Sequence, residues 1–558
     1  MKRTANKRKR AFSPEEVLEE VMQPDPSELQ ISSTDSSDSR ESDADFKPAS
    51  TPSTTSEEDS EDPGSGWIGR NGQVWSSNNG ETAPFTQPAR GVTAGPTRYA
   101  IARVGDIQSS FDLFFTSEML DLIVSMTNIY GQRNDKDWIV VDSTDLKAYM
   151  GLNILAGVYR SRNESTCSLW DDRRGRAIFK ATMSLKRFHQ ISRALRFDDK
   201  VTRAARLRDD KLAPIRALWD LWAHRLEILF NPGRDVTVDE QLVPFKGRCR
   251  FRQYMPMKPA KYGLKLWVTA DVATSYAWRC APYLGKIGDA AEVGKGMRVV
   301  KEMTEGLQGV TVCCDNFFTS YKLAQELLKK KLFLVGTVRK NKPELPPNLL
   351  QVKGRPVPSS LFGFTSNTTA VSHIPKRGRN VIVLSTRHRE AAVTEGPKAK
   401  PDIITYYNRC KGGVDNLDKV VATYSCRRKT KRWPQTLFFN MMDISGYNAY
   451  VIFTAIDPSW NQRKLFRRRL FLEELGNSMI SAAIVRRKHL PRAPIAAALV
   501  QELQTSVPAP QMPAGTSSLV QRGTCKGCKN RTVCTCIKCG KFTCKSHQVI
   551  CCKDCWEH

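Results

Sequence analysis

At 558 residues the chain is too long for one compact core, so several domains are expected. A formal net charge of +29 implies a large polyanionic partner, nucleic acid before membrane. A membrane helix is excluded on sequence grounds: the most apolar stretch, FFNMMDISGYNAYVIFTAI (438–456), is interrupted by Asp443, Ser445, Gly446 and Asn448 and reads as a buried helix.

The extreme N-terminus, MKRTANKRKR, has no apolar segment behind its charges and does not read as a secretory signal. Its clustered Lys and Arg read either as a nuclear localisation signal or as an unspecific basic tail, and a soluble protein of the nucleus is the expectation. Residues 11–62 hold sixteen Asp and Glu against Arg40 and Lys47, with few large apolar side chains. Such a segment cannot bury enough surface to offset its ordering entropy, so 1–105 is expected to be disordered, acidic after the basic extreme terminus. Serines placed before acids at 36–45 and 53–62 suit acidophilic kinases, or simply solubilise the tail.

Apolar residues then recur at helical spacing in 117–131, 143–160, 181–197 and 211–230, with Ser117 as the expected N-cap of the first segment. The period changes at DVTVDEQLVPF (235–245) and YGLKLWVTADVATSYAWRCAPYLG (262–285), which read as strands of an antiparallel meander. A helix over 291–307, a strand over 309–318, a helix over 320–331 and a strand over 332–338 complete an α/β layer. Residues 340–402 are proline-rich and loop-like, with short strands such as 381–385, and helical periodicity returns in 403–424, 433–456 and 463–485.

Two strand acids stand out. Asp239 lies within an otherwise apolar strand, and Asp315 ends another. Buried carboxylates are costly unless neutralised, and two on adjacent strands with a third from a crossing helix could hold two Mg²⁺ (or Mn²⁺) for in-line attack on a phosphodiester. KGGVDNLDKV (411–420) supplies that third position through Asp415 and Asp418, three residues apart behind a glycine pair. Taken singly, each reads as an ordinary turn former or helix-dipole partner; it is their occurrence together in a basic chain that points to chemistry. Val414, Leu417, Val420 and Val421 form one helical face, leaving both acids on the adjacent face.

Basic residues interleaved with aromatics flank these acids: Arg248, Arg250, Arg252, Lys258, Lys261 and Lys265 with Tyr254 and Tyr262, then Arg427, Arg428, Lys429, Lys431 and Arg432 with Trp433. That mixture suits phosphate contact and stacking on an unpaired base, with double-stranded DNA as the expected partner. The run RKLFRRRLF (463–471) reads either as a solvated face or as a further DNA contact. The tail holds nine of the sixteen cysteines. Its four pairs, Cys525/Cys528, Cys536/Cys539, Cys544/His547 and Cys552/Cys555, each separated by two residues, can build two tetrahedral Zn²⁺ sites. Cys534 and Cys551 leave the register open at CTC and CC. A disulfide cluster is the alternative and conflicts with a reducing compartment.

Five blocks, TVDEQLVPFKGRCRFRQYMPMKPAKYGLKLW, VTVCCDNFFTS, VGTVRKNKPELP, YYNRCKGGVDNLDK and RRKTKRWP, resemble in order the signature blocks of piggyBac-type transposases, and the resemblance extends over roughly 106–558. It implies an RNase H-like catalytic core with Asp239, Asp315 and Asp415 as its triad and Asp418 as an additional acid. Nicking, hairpin formation and integration at TTAA are the implied reactions, where the residues alone leave nuclease, integrase and transposase open. Arg339 and Lys342 match a motif implicated in DNA contact. A homodimer is implied, as is a cross-brace pairing of the tail ligands, first with third and second with fourth.

The expected organisation is a mixed α and α/β multidomain chain: helical dimerisation and DNA-binding domain (106–234 and 426–500), RNase H-like domain (235–339 and 403–425), insertion domain (340–402), linker (501–522) and zinc-binding domain (523–558). Two rivals remain: a domesticated descendant that binds DNA without transposing it, and a zinc-dependent interaction protein such as a RING-type ligase. The second leaves the acids unexplained.

Overall fold

The computed structural model describes residues 66–79, 91–285, 292–396, 399–506, 523–524, 528, 531–532 and 542. The chain forms two compact units, one built from residues up to 169 with 184–482, the other from 170–183 with residues from 483 onward.

The helical part of the first unit contains α1 (Ser117–Asn134), α2 (Ser143–Val158), α3 (Leu185–Ala194) and α4 (Arg216–Ile228). Thr116, rather than Ser117, is the N-cap of α1. Asp142 caps α2 by accepting from the Asp145 amide at 2.8 Å, and Ser184 caps α3 by accepting from the Arg187 amide at 3.2 Å. Helix α4 starts at Arg216 and not near 211, because Pro214 disfavours helical backbone at the residue before it. The expected single helix over 181–197 is likewise divided, since Ala177–Thr182 is a separate short helix of the other unit.

One nine-stranded mixed sheet organises the rest of the first unit. Its strands are β1 (Asp235–Pro244), β2 (Arg252–Tyr254), β3 (Tyr262–Asp271), β4 (Ala277–Pro282), β5 (Thr311–Cys314), β6 (Phe333–Thr337), β7 (Ser359–Phe364), β8 (Thr369–Lys376) and β9 (Arg379–Ser385). The order is β7-β8-β9-β6-β5-β1-β3-β2, with β4 also paired to β3. Strands β1, β5 and β6 run parallel, and every other pairing is antiparallel. Strand β3 is buried along nearly its whole length, as expected of a strand covered on both faces. Thr269 of β3 donates to the Met303 carbonyl of α5 (Lys295–Met303) on one face, and Thr237 of β1 donates to the Cys410 carbonyl of α7 (Asp402–Cys410) on the other. Helix α6 (Tyr321–Lys329) packs on β6 and is capped by Ser320.

The segment expected to be a loop-rich insertion carries three strands that prolong the sheet from β6. Val371 and Val383 there pack with Val335, Phe362, Phe364 and Ile403 in one apolar cluster. The expectation of disorder through residue 105 fails at 66–79 and again at 95–101, where Gly95–Pro96 pairs with Phe230–Asn231 and Arg98–Ile101 is a helix capped by Thr97. Trp67–Ile68 and Val74–Trp75 pair as a hairpin, Ser76 bridges to Phe364, and the fully buried Trp75 donates its indole N–H to the Glu344 carbonyl at 2.8 Å.

Helix α8 (Gly413–Thr423) follows α7 after a break at Lys411–Gly412, and α9 (Trp433–Ile456) crosses the interior. The polar residues that argued against a membrane span are all satisfied in α9. Ser445 accepts from the Trp222 indole, Asn448 bonds both backbone groups of Ala277, and Asp443 accepts from Ser425 and the Cys426 amide. Among the described residues no helix is long and apolar enough to cross a membrane.

In the second unit, helix Pro494–Ser506 and the short helix Ala177–Thr182 pack together. Arg487 donates to the Lys180 and Ala181 carbonyls at 2.5 and 2.8 Å, and the Trp170 indole donates to the Met183 carbonyl. Of the proposed zinc ligands only Cys528 is described, half-buried between the paired strands Gly523–Thr524 and Arg531–Thr532. Cys525, Cys536, Cys539, Cys544, His547, Cys552 and Cys555 lie outside the described residues, as does the N-terminal basic cluster.

Candidate active site

The parallel register of β1 and β5 pairs Val238 with Cys314, so the next residues along, Asp239 and Asp315, lie side by side where β5 ends. Adjacent strands are about 4.8 Å apart, and residues directly opposite share a face, so sheet geometry alone presses these two carboxylates together. Asp239 accepts from the Glu240 amide at 2.7 Å, and Asp315 accepts from the Phe317 amide at 2.9 Å in the turn that leads to α6. That turn is accommodated by Gly336 of β6, where a Cβ would sit 2.2 Å from the Thr319 hydroxyl.

Period-two alternation along β1 puts Thr237, Asp239 and Gln241 on one face, the face that α8 covers. Gly413 allows this approach: a Cβ there would be 2.7 Å from the Thr237 hydroxyl. Helix α8 is then fixed by Gln241, whose amide donates to Asp418 at 2.6 Å and accepts from Asn440 of α9 at 2.9 Å. Val414, Leu417 and Val421 are buried as expected, and Val420 is half-buried. Asp415 points outward with its side chain 61% exposed, 3.7 Å from the Lys258 ammonium.

Burial pushes the Asp239 carboxyl well above the usual range, and the charges of Glu240, Asp315 and Asp415 add to the shift while Lys258 opposes it. Burial and Glu240 raise Asp315 to about 6 against the Phe317 amide, Arg339 and Lys265. Asp418 is also raised to about 6, by burial first, with the Gln241 hydrogen bond and Lys258 opposing. Burial alone would lower the Lys258 ammonium, but Asp239, Glu240, Asp415 and Asp418 outweigh it and raise it. A bound divalent cation would relieve this carboxylate repulsion, and all-oxygen donors suit Mg²⁺ or Mn²⁺. The all-oxygen chemistry of Asp239, Asp315 and Asp415 would suit such an ion. Among the described residues, no three His, Cys, Asp or Glu side chains yet converge on one point, because Asp415 faces Lys258 rather than the strand pair.

The basic residues fall into two groups. Arg248, Arg250, Arg252, Lys261, Lys429 and Lys431 are exposed, while Arg339, Lys342, Arg427 and Trp433 are half-buried. Arg252 lies over Tyr262, which stacks obliquely on Tyr254 at 4.8 Å between centroids. A groove of about 460 Å³ runs past Lys246, Arg252, Pro259, Lys261 and Tyr262. The remaining members do not face outward as the spacing suggested. Lys265 is buried, 3.7 Å from Glu240 and over the Trp267 ring. Arg428 donates to the Ser161 and Glu164 carbonyls, and Arg432 to those of Ser192 and Leu195, where they satisfy backbone near the ends of α2 and α3. Lys258 is turned into the acids. Glu240, Gln241 and Asn440 were not anticipated. Glu240 shared a strand with Asp239 and could have been noticed, whereas Asn440 lies 199 residues from its partner and had no local signal.

Residues 107–450 match the family model described as Transposase IS4, which puts the chain among the transposases. It is 24% identical over 419 residues to PiggyBac transposable element-derived protein 3 of Homo sapiens, covering 70% of this chain and 69% of that protein. It is 25% identical over 387 residues to PiggyBac transposable element-derived protein 2 of Homo sapiens, covering 64% of this chain and 61% of that protein. The fold matches a cryo-EM structure of the piggyBac transposase synaptic complex with hairpin DNA, with a TM-score of 0.70 and 32% identity over 83% of this chain and all of that one. The chain belongs to the piggyBac transposase family.

Proposed function

We propose that this protein is a cut-and-paste DNA transposase that nicks element ends, forms hairpins and integrates at TTAA sites. The observation that carries the reading is the register that sets Asp239 beside Asp315 under the helix bearing Asp415 and Asp418. The strand order β4-β3-β1-β5-β6, with an antiparallel meander joined to two parallel strands, supports an RNase H-like core prolonged by the β7–β9 insertion. Asp239, Asp315 and Asp415 would hold two Mg²⁺, whose chemistry is to activate the attacking oxygen and stabilise the leaving one. This chain's own residues complete the site. Gln241 fixes Asp418 and hence the pitch of α8, while Glu240 and Lys265 brace the opposite face of β1. The cations Arg248, Arg250, Lys261, Lys429 and Lys431 are exposed and suit a duplex backbone.

In this reading the protein acts in the nucleus as a homodimer that joins two ends, and its tail holds two structural Zn²⁺. A domesticated, DNA-binding protein without transposition is the second reading, favoured by the human relatives being named as derived from transposable elements. Excision of a marked element flanked by the source element's own ends, compared between wild type and Asp315→Asn, separates the two. Activity lost only in the variant supports the transposase. Equal activity in both, or none in either, sinks it.

A further inference from the structure

Lys258 sits in the loop between β2 and β3, where a phosphate-seeking lysine would extend into solvent. Its backbone is held instead in a fixed turn: the Lys258 amide donates to Met255 at 3.1 Å, the Lys261 amide to Lys258 at 2.9 Å, and the Met255 amide to Lys261 at 2.7 Å. The turn aims the side chain inward. The ammonium donates to the Glu240 carbonyl at 3.1 Å, on the strand residue next to Asp239, and lies 3.7 Å from Asp415. Its side chain is only 21% exposed, and its charge acts on Asp239, Asp415 and Asp418 together. The other two cations nearest the acids are engaged differently: Lys265 with Glu240 and the Trp267 ring, Arg339 beside Asn316 and Phe317.

We propose that the Lys258 ammonium is a built-in counterion that holds the strand acids and the α8 acids together in the metal-free protein, and that it competes with the divalent cation for them. The proposal rests on the metal-binding reading of Asp239, Asp315 and Asp415. A lysine suits the role because its ammonium is a compact charge on a flexible stem, able to withdraw once an ion with more charge arrives. Asp415 is the group it releases.

Mn²⁺ titration of the full chain without DNA, read by the electron paramagnetic resonance of the free ion, tests this with Lys258→Met, Lys258→Gln and Asp239→Asn. Loss of a nearby positive charge should tighten Mn²⁺ binding about tenfold in both Lys258 variants. Their melting temperature in chelator should fall below wild type, and Mg²⁺ should restore more of it than it adds to wild type. Asp239→Asn should lose the site. A midpoint unmoved or weakened in both Lys258 variants overturns the counterion role. So does an unmoved midpoint accompanied by loss of metal-free duplex binding, which would make Lys258 a phosphate contact. If wild type and Asp239→Asn bind Mn²⁺ equally, the metal reading itself fails and the inference falls with it.

Discussion

The acids borne by strands and those borne by α8 belong to one site but are held by different physics. Asp239 and Asp315 are neighbours because the hydrogen-bonded register ends at Val238 and Cys314, which fixes the backbone just before each of them. Burial, with Glu240 close by, raises both carboxyls, and either a proton or a bound cation relieves that cost. Asp415 and Asp418 share a helical turn but not an environment, the first exposed beside Lys258 and the second locked to Gln241. A rigid pair thus faces an adjustable third acid. Helix α8 is pinned to β1 at its start by Gly413 against Thr237 and, further along, by Asp418, and Asp415 lies between these anchors.

The largest expected effect falls on the rigid pair. Asp239→Asn or Asp315→Asn should reduce strand nicking by about 10³-fold, as expected when a preorganised charge is lost, while leaving the melting temperature in chelator unchanged or higher. Loss of both folding and activity would show that these acids are structural. The helix acids should separate next. Asp415→Ala should abolish nicking with little change in stability. Asp418→Ala, which strands the Gln241 amide, should cost about 1–3 kcal/mol and leave residual nicking. Equal residual nicking in the two would remove the distinction between them.

Smaller effects test the anchor. Gly413→Ala should destabilise by about 1–3 kcal/mol through the clash with Thr237, and Thr237→Ala should recover part of that loss in a double-mutant cycle of melting curves. Additive losses would mean that the glycine serves another purpose. The smallest effect concerns pH. Asp315 and Asp418 bind protons more tightly when folded, at about 6 against 3.8, so the folded state gains relative stability at low pH. That contribution is present below 3.8, declines as pH rises towards 6 and is lost above it. Melting temperature in chelator should therefore fall across this window, and the Asp315→Asn and Asp418→Asn variants should flatten the fall.

Much of this contrast was legible in the sequence. TVDEQL and VCCDNFF betray their acids because a carboxylate in an apolar strand is costly, and the glycine pair before Asp415 marks a close approach. What could not be read is long-range. No spacing rule links Gln241 to Asn440, or Trp75 to Glu344 across 269 residues. The basic runs misled for a related reason. Arg428 and Arg432 stand in the same basic run as Lys429 and Lys431, yet the helix ends beside them present carbonyls that a long planar guanidinium reaches. Helix boundaries at 181–197 and 211–230 were blurred because apolar periodicity continues across Met183 and Pro214, where the backbone does not.

The role of the rigid pair as ligands is tested most directly by exchanging one ligand atom. Purified full-length Asp315→Cys would be assayed for nicking of a duplex carrying the source element's ends and TTAA, in Mg²⁺ and in Mn²⁺. Thiolate is a poor ligand for Mg²⁺ and a better one for Mn²⁺. The prediction is loss of nicking in Mg²⁺ with partial recovery in Mn²⁺, while the wild type works in both. Wild-type nicking by Asp315→Cys in Mg²⁺ would contradict it.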